Sequence, residues 1–370
     1  MKIVHIITGL GDGGAEHTLY KICKYDCLNK HIVISLKGRG KYYSLLKRLG
    51  IKVYCLNLNF FSIYKLIFLI KILRLIKPDI VQTWLIIADF IGSIAARFAG
   101  IKNIIWNIRY SNIEIKKVKF FNFIIIRLLV KLSYTLPKSI IVVSKKAVSF
   151  YEKKGYDKKK LKYIPNGYDL KSFKNNGFKK LNNIKKNTPL VGYVARYDPL
   201  KDHINLLNAL SLVQSKKINF FCLLIGNNIY KNKLLINQIR KLKLTKNIKL
   251  IGPIKNVPKI MSSLDIHIQS SISEGFPNVV AEAMVQKTPC VVTDVGDSSY
   301  IVGKTGWVAP PENSTKLARK IEVAIEEIGT KKWYKRCNQA RLRIKEKFSI
   351  NKMINSYNSI WIRVCRLGSD

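Results

Sequence analysis

Acidic residues are scarce in this chain. Its 370 residues include 22 Asp and Glu against 66 Lys and Arg, a formal net charge of +44. A field of that size attracts anionic headgroups, nucleic acid or phosphorylated substrates. The Lys-, Ile- and Asn-heavy composition that produces it is also what an AT-rich genome yields. Long apolar runs are missing as well: the stretches near 60–76 and 120–136 are broken by Lys65, Lys71, Arg74, Arg127 and Lys131. A membrane span needs about 18 uninterrupted apolar residues, so none is expected. The opening MKIVHIITGL reads as a strand entering a Gly-rich turn. It has neither the longer apolar stretch nor the small-residue cleavage site of a secretory signal. Seven scattered cysteines leave one unpaired, none has zinc-ribbon spacing, and Cys23 and Cys27 share a helix face. Reduced structural thiols in a cytoplasmic protein are expected. A D-x-D triplet at a strand end is also absent, so no obligatory metal bridging a diphosphate is indicated.

What is present supports two globular domains. Hydrophobic residues make up 48% and aromatics 10% of the chain, enough to pack more than one core at this length. Short apolar runs at 2–8, 31–36, 52–56, 79–82, 103–107 and 139–143 alternate with helical patterns, and the rhythm resumes at 189–195, 219–225, 247–251, 264–269 and 289–293. This alternation predicts an α/β protein with parallel, doubly wound sheets. The Lys- and Asn-rich run KSFKNNGFKKLNNIKKNTP separates the two series. The expected organisation is a domain at 1–170, a linker at 171–188, a second domain at 189–347, and a terminal helix within 348–370 that packs back across them.

Three motifs bear on function. Residues 9–14, GLGDGG, fit the G-x-G-x-x-G dinucleotide pattern. That reading needs an acid at the end of the second strand, where the chain instead has Leu36, Lys37, Gly38 and Arg39. What remains is either an anion-ready turn at a helix start or a tight turn without a ligand. The second motif, SEGFPNVVAEAM at 273–284, places Glu274 before a helix start, Pro277 in its first turn and Glu282 eight residues after Glu274. A helix N-terminus offers free N–H groups and partial positive charge to a phosphate. The loop carboxylate can then hold sugar hydroxyls, and the helical one a ribose. Two Glu eight apart would mean little without that context. Third, ARYDPLKDH at 195–203 begins the first loop of the second sheet and brings Arg196 and Lys201 to a diphosphate's side.

Together these residues resemble the retaining family 4 glycosyltransferases of GT-B fold, over nearly the whole chain. GGAE (13–16) is similar to that family's first loop, PNGYD (165–169) to its domain-crossing peptide, and ARYDPLKDH to its Arg/Lys diphosphate clamp. SEGFPNVVAEAM is similar to its E-x7-E signature, and TDVGDSSYIVGKTGWV (293–308) to the loop that follows. QTWLIIADFIGSIAARFAG (82–100) with IIWNIRYS (104–111) resembles a bacterial surface-polysaccharide branch. The resemblance implies two Rossmann-like domains with the donor site in the cleft between them. Gly13 and Gly14 would meet the donor phosphate, and Arg196 and Lys201 would neutralise the diphosphate. Glu274, with Gly275, Phe276, Asn278 and Val279, would face the sugar and β-phosphate, Glu282 the ribose and Gly226 the base. The family usually places a histidine where this chain reads Arg109-Tyr110-Ser111. Either Tyr110 substitutes as a hydrogen-bond donor, or Arg109 takes the contact, or the correspondence slips, or activity is reduced.

The implied activity is metal-independent transfer of a hexose or N-acetylhexosamine, with retention, from a nucleotide sugar to a glycan or polyprenyl-diphosphate-linked acceptor. GFPNV leans toward UDP as the nucleotide, and no cofactor is implied. A nucleotide-sugar epimerase of the same fold is the nearer rival. A nucleic-acid-binding protein is the more distant one, because the Lys is spread along the chain rather than clustered. For FFSIYKLIFLIKILRLIK (60–77) and VKFFNFIIIRLLVKLSYTLPK (118–138), core helices with cationic edges are the favoured reading. The competing one is a surface resting on anionic membrane at the inner face of the plasma membrane.

Overall fold

A computed structural model describes residues 1–58, 63–109, 120–173, 188–254 and 256–366. The chain forms two compact units, Met1–Gly167 with Ile350–Asp370, and Tyr168–Ser349. It first passes between them inside PNGYD. Most of the expected linker, 174–187, lies outside the described residues, as does Tyr110.

The first unit holds seven parallel strands: β1 (Lys2–Ile7), β2 (Lys30–Ser35), β3 (Lys52–Cys55), β4 (Ile80–Trp84), β5 (Ile104–Ile108), β6 (Ser139–Val142) and β7 (Leu161–Tyr163). Their order is β3-β2-β1-β4-β5-β6-β7, with Ile3 opposite His31 on one side and Ile80 on the other. Such strands are apolar throughout because helices cover both faces of the sheet. Helices Ile63–Ile76, Ile86–Phe98, Phe120–Leu132 and Lys145–Lys153 bury Leu69, Leu73, Ala95, Leu129 and Tyr151 on one face. Helices Gly14–Tyr25, Lys41–Arg48 and Ile350–Arg366 bury Leu19, Leu46, Tyr357 and Trp361 on the other. The last helix is fixed by polar contacts as well. Met353 Sδ accepts from the Gly167 N–H at 3.1 Å, Tyr357 Oη from Asn107 Nδ2 at 2.8 Å, and Trp361 Nε1 donates to Gln82 Oε1 at 2.7 Å.

The second unit repeats the plan with six strands, β8 (Leu190–Val194), β9 (Phe221–Ile225), β10 (Ile248–Ile251), β11 (Ile266–Gln269), β12 (Cys290–Thr293) and β13 (Trp307–Ala309). The order is β10-β9-β8-β11-β12-β13. In each sheet the order reverses beside the first strand, and ligands of open α/β sheets bind at the carboxyl ends of strands flanking such a point. Helix His203–Ser215 starts where Asp202, in the left-handed region at φ 49°, accepts from the Asn205 N–H at 3.1 Å. No helix among the described residues is long and apolar enough to cross a membrane.

Candidate active site

The loop after β8 carries Arg196 and Lys201, and the loop after β11 carries Glu274, so both lie at the carboxyl edge of the second sheet. Lys201 ends a short 3₁₀ turn, Pro199–Lys201, started by Asp198 as its carboxylate accepts from the Leu200 N–H at 3.0 Å. The Lys201 carbonyl is held by Tyr193 Oη at 2.9 Å and Ser270 Oγ at 3.0 Å. Its ammonium is thereby aimed at Glu274, with Nζ 2.5 Å from Oε1. Ser271 Oγ donates to the same oxygen at 2.7 Å and lies 3.0 Å from Tyr193 Oη. Both charged side chains are only partly exposed, at 21% and 12%. They form an ion pair held by hydroxyls from two strand ends.

Arg196 differs. Its guanidinium forks onto Asp198 Oδ2 at 3.1 and 2.8 Å and remains 66% exposed. Burial raises the Asp198 pKa, but Arg196, the Leu200 N–H and Lys201 outweigh it and hold the carboxyl below its ordinary value. Arg196 therefore stands at the rim, and Lys201 deeper in the loop.

Helix Asn278–Val285 begins directly after the Glu274 loop, with Pro277 as N-cap rather than in the first turn where the sequence reading placed it. The Pro277 backbone at ψ 100° is extended, so helical geometry begins one residue later. Gly275, Phe276, Asn278 and Val279 are gathered at this mouth, and Glu282 lies half-buried one turn further on. Phe276 packs edge-on against Phe348 at 5.5 Å, and Asn278 Oδ1 accepts from Tyr168 Oη at 2.6 Å. The Glu274 loop is pressed against Gly296, where an added Cβ would lie 2.3 Å from Glu274 O and 2.4 Å from Gly275 O. Gly226 follows β9 and abuts the Arg196 loop, its Cβ position being 2.1 Å from Ala195 O. The second unit thus collects Arg196, Lys201, Gly226, Gly275, Phe276, Asn278, Val279, Glu274 and Glu282 around adjacent strand ends.

In the first unit, Gly13 is the N-cap of helix Gly14–Tyr25. Glu16 folds back over that turn, and a Cβ on Gly13 would lie 2.4 Å from Glu16 Oε2. Burial raises the Glu16 carboxyl pKa, its own backbone N–H opposing. Glu16 is the acidic residue of that helix's first turn, where a carboxylate complements the positive end of the helix. Arg109 sits at the end of β5, where its Nη2 donates to Thr18 Oγ1 at 2.9 Å and to Asn166 Oδ1. It ties that helix to the PNGYD peptide, a positioning role the sequence did not suggest.

Outside these loops, His5, Cys23 and His31 bring metal-ligating atoms within 4.8 Å of one another. Trp84 Nε1 donates to His5 Nδ1 at 3.2 Å, which puts the proton of neutral His5 on Nε2. His5 Nε2 then gives to His31 Nδ1 at 3.0 Å, and His31 Nε2 to Asp26 Oδ2 at 3.0 Å. Each ring nitrogen is engaged through a proton, so the chemistry is that of a directed hydrogen-bond relay, not a ligand set. Burial opposes the Asp26 charge, but hydrogen bonds from His31, Asn29 and the Leu28 N–H bring its pKa down to about 2. Burial, with the nearby His31, also holds His5 well below the usual 6.5. Burial lowers His17 and His267 to about 3 and His203 to about 4, Lys21 and Lys41 adding to the effect on His17 and Lys201 to that on His203. A lowered histidine pKa gives stability that is complete above pH 6.5 and erodes as pH falls toward the folded-state value. Each such histidine costs about 1.4 kcal/mol per pH unit in that window. The melting temperature is expected to fall steadily between about pH 7 and about pH 5. Thermal unfolding followed by circular dichroism checks this, and a flat profile contradicts the neutral-histidine assignment.

Two doubly wound parallel sheets, with a cation–carboxylate pair at a helix mouth on the second, define a glycosyltransferase of GT-B fold. The chain belongs to the glycosyltransferases: residues 12–172 match Glycosyltransferase Family 4, and 175–341 match Glycosyl transferases group 1. It is 25% identical over 256 residues to the Escherichia coli UDP-Gal:alpha-D-GlcNAc-diphosphoundecaprenol alpha-1,3-galactosyltransferase, covering 67% of this chain and 66% of that protein. It is 24% identical over 283 residues to the Staphylococcus aureus capsular polysaccharide biosynthesis glycosyltransferase CapM, covering 74% and 73%. Among solved structures, Anabaena Alr3699/HepE in complex with UDP superimposes with a TM-score of 0.83 at 21% identity, over 97% of this chain and 99% of that one. The epimerase alternative finds no support among these proteins.

Proposed function

We propose that this chain transfers a hexose or N-acetylhexosamine from a UDP-sugar, with retention, to a glycan or a polyprenyl-diphosphate-linked acceptor in surface-polysaccharide synthesis. The observation that carries this reading is the Lys201–Glu274 pair at the mouth of helix Asn278–Val285. A diphosphate placed at that mouth meets backbone N–H groups and the positive end of the helix, with Lys201 beside it and Arg196 at the rim. Glu274 then holds sugar hydroxyls and Glu282 the ribose. The acceptor hydroxyl attacks the anomeric carbon on the face the diphosphate leaves. As the carbon–oxygen bond to phosphate breaks, a phosphate oxygen takes the acceptor proton and UDP departs. The diphosphoundecaprenol-linked acceptor of the Escherichia coli relative and the UDP held by Anabaena Alr3699/HepE support the lipid-linked acceptor and the nucleotide.

Cationic side chains and helix N–H groups do here what a bridging metal does elsewhere, so transfer is expected to persist in EDTA. Purified protein is incubated with UDP-sugars and a diphosphate-linked lipid sugar, with and without chelator. Formation of the extended glycan in both arms supports the reading, and loss of product with EDTA removes metal independence. Conversion of the donor to an isomer without acceptor would restore the epimerase.

A further inference from the structure

Helices Ile63–Ile76, Ile86–Phe98 and Phe120–Leu132 lie side by side over one face of the first sheet. Their inner sides enter the core through Leu69, Leu73, Ala88, Ala95, Ile125 and Leu129. Their outer sides are not the polar surfaces of ordinary solvated helices. The first exposes Tyr64, Ile67, Phe68 and Leu75 at helical spacing, the last of these at 82%. The third exposes Ile124 and Leu128, and the second ends in exposed Phe98. Between these stand exposed Lys71, Arg74, Arg97, Arg127 and Lys131. The two outer helices contain no Asp or Glu. The only acid of the middle one, Asp89, is buried and bonded to Thr83 Oγ1 at 2.6 Å.

At one end of this face Arg74 Nη2 donates to Phe98 O at 2.9 Å. Next to it a cavity of about 650 Å³ is lined in part by Arg74, Lys77 and Lys102. Asp79 shares the wall, where it accepts from the Lys2 N–H at 2.6 Å. Neither Lys77 nor Lys102 is paired with a carboxylate among the described residues.

We propose that this face docks on an anionic lipid bilayer. Tyr64, Phe68 and Leu128 enter the headgroup boundary, Lys71, Arg127 and Lys131 meet phosphates, and the Arg74–Lys77–Lys102 cavity takes one headgroup. Cations alone would prove little in a chain with +44. The informative feature is their alternation with large apolar side chains on neighbouring helices, the pattern of interfacial helices. Nucleic acid would use the cations but has no use for exposed Ile67, Leu75, Ile124 and Leu128, which offer no ring for a base to stack on. A second copy of the face would oppose like charges.

The test reads vesicle binding, not sugar transfer, so it fails or succeeds separately from the proposed activity. The full chain is co-sedimented with phosphatidylcholine vesicles, with and without phosphatidylglycerol. Binding is expected only with phosphatidylglycerol. Each Lys or Arg near an anionic surface is worth about fivefold, so Lys71→Gln/Arg127→Gln/Lys131→Gln is expected to weaken binding about a hundredfold. Ile67→Ser/Phe68→Ser is expected to weaken it with the charge intact. The same loss of charge elsewhere, Lys316→Gln/Arg319→Gln/Lys320→Gln on exposed positions of helix Ser314–Glu327, is expected to leave it unchanged. Melting temperatures confirm that each variant folds, and either face variant suffices if the other does not. Equal binding to both vesicle types, no binding to either, or an equal loss in the Ser314–Glu327 variant overturns the proposal. Binding to single-stranded nucleic acid in preference to anionic vesicles does so as well.

Discussion

Lys201→Ala and Glu274→Ala each lower turnover of sugar transfer by about 10²-fold or more, and the double variant loses little beyond either single one. The two side chains share one hydrogen bond, and their anchors are linked: Tyr193 Oη holds the Lys201 carbonyl, Ser271 Oγ holds Glu274, and the two hydroxyls lie 3.0 Å apart. Removing Lys201 takes away the cation proposed to meet the diphosphate and the partner that shares Glu274 Oε1 with Ser271. Removing Glu274 takes away the proposed sugar contact and the carboxylate that aims the Lys201 ammonium. Because each change destroys the same unit, the effects do not multiply. Arg196→Ala is expected to cost only about tenfold, since its guanidinium is exposed and already engaged by Asp198. Steady-state kcat and KM for a UDP-sugar, measured for the wild type and the four variants, make the comparison. Full activity in both Lys201→Ala and Glu274→Ala would remove the pair from the mechanism.

Gly296→Ala is expected to abolish most transfer although it removes no side chain assigned to the donor. Gly296 has φ +51°, where an L-residue costs about 1 kcal/mol. The larger effect is steric, because the new Cβ would meet the carbonyl oxygens of Glu274 and Gly275 at 2.3 and 2.4 Å. Those are backbone atoms, so no rotamer change relieves the contact and the Glu274 loop must move. A displacement of about 1 Å at a reacting site typically costs about 10²-fold. Stability should fall by about 1–3 kcal/mol. Gly329→Ala is the control: it too has positive φ, at +82°, but nothing lies within 4 Å of its Cβ position. It should lose a little stability and keep its turnover. Equal activity in Gly296→Ala and wild type would show that the loop's position does not matter.

Periodicity carried most of the fold. Apolar runs such as KIVHII and FCLLI are strands buried on both faces, and their spacing showed a parallel arrangement before any contact was known. Two of the four edge strands, LKY and WVA, escape a reading of periodicity because three residues have no measurable period. The site was legible as residue types in order along the chain, but not as partners. Lys201 and Glu274 are 73 positions apart, and nothing local says that one ammonium reaches that carboxylate. Ser271 was hidden because a serine before a loop reads as ordinary turn chemistry. Tyr168 lay inside a motif already noticed, yet its bond to Asn278 depends on the approach of two loops of the second unit. Arg109 is one of the alternatives the resemblance leaves open at the family's histidine position, and its hydrogen bonds to Thr18 and Asn166 can be read only in three dimensions.

The helix Ile350–Arg366 belongs to the unit that the chain begins, although the whole second unit intervenes. This fixes an order of events during translation. When residue 167 has left the ribosome, one side of the first sheet still lacks Tyr357 and Trp361, and Gln82 and Asn107 still lack their hydrogen-bond partners. The second unit, contiguous in sequence, can mature while the first waits half-covered. The part of the protein synthesised first is therefore the part completed last, and a nascent chain halted anywhere before the final helix carries an uncovered apolar surface.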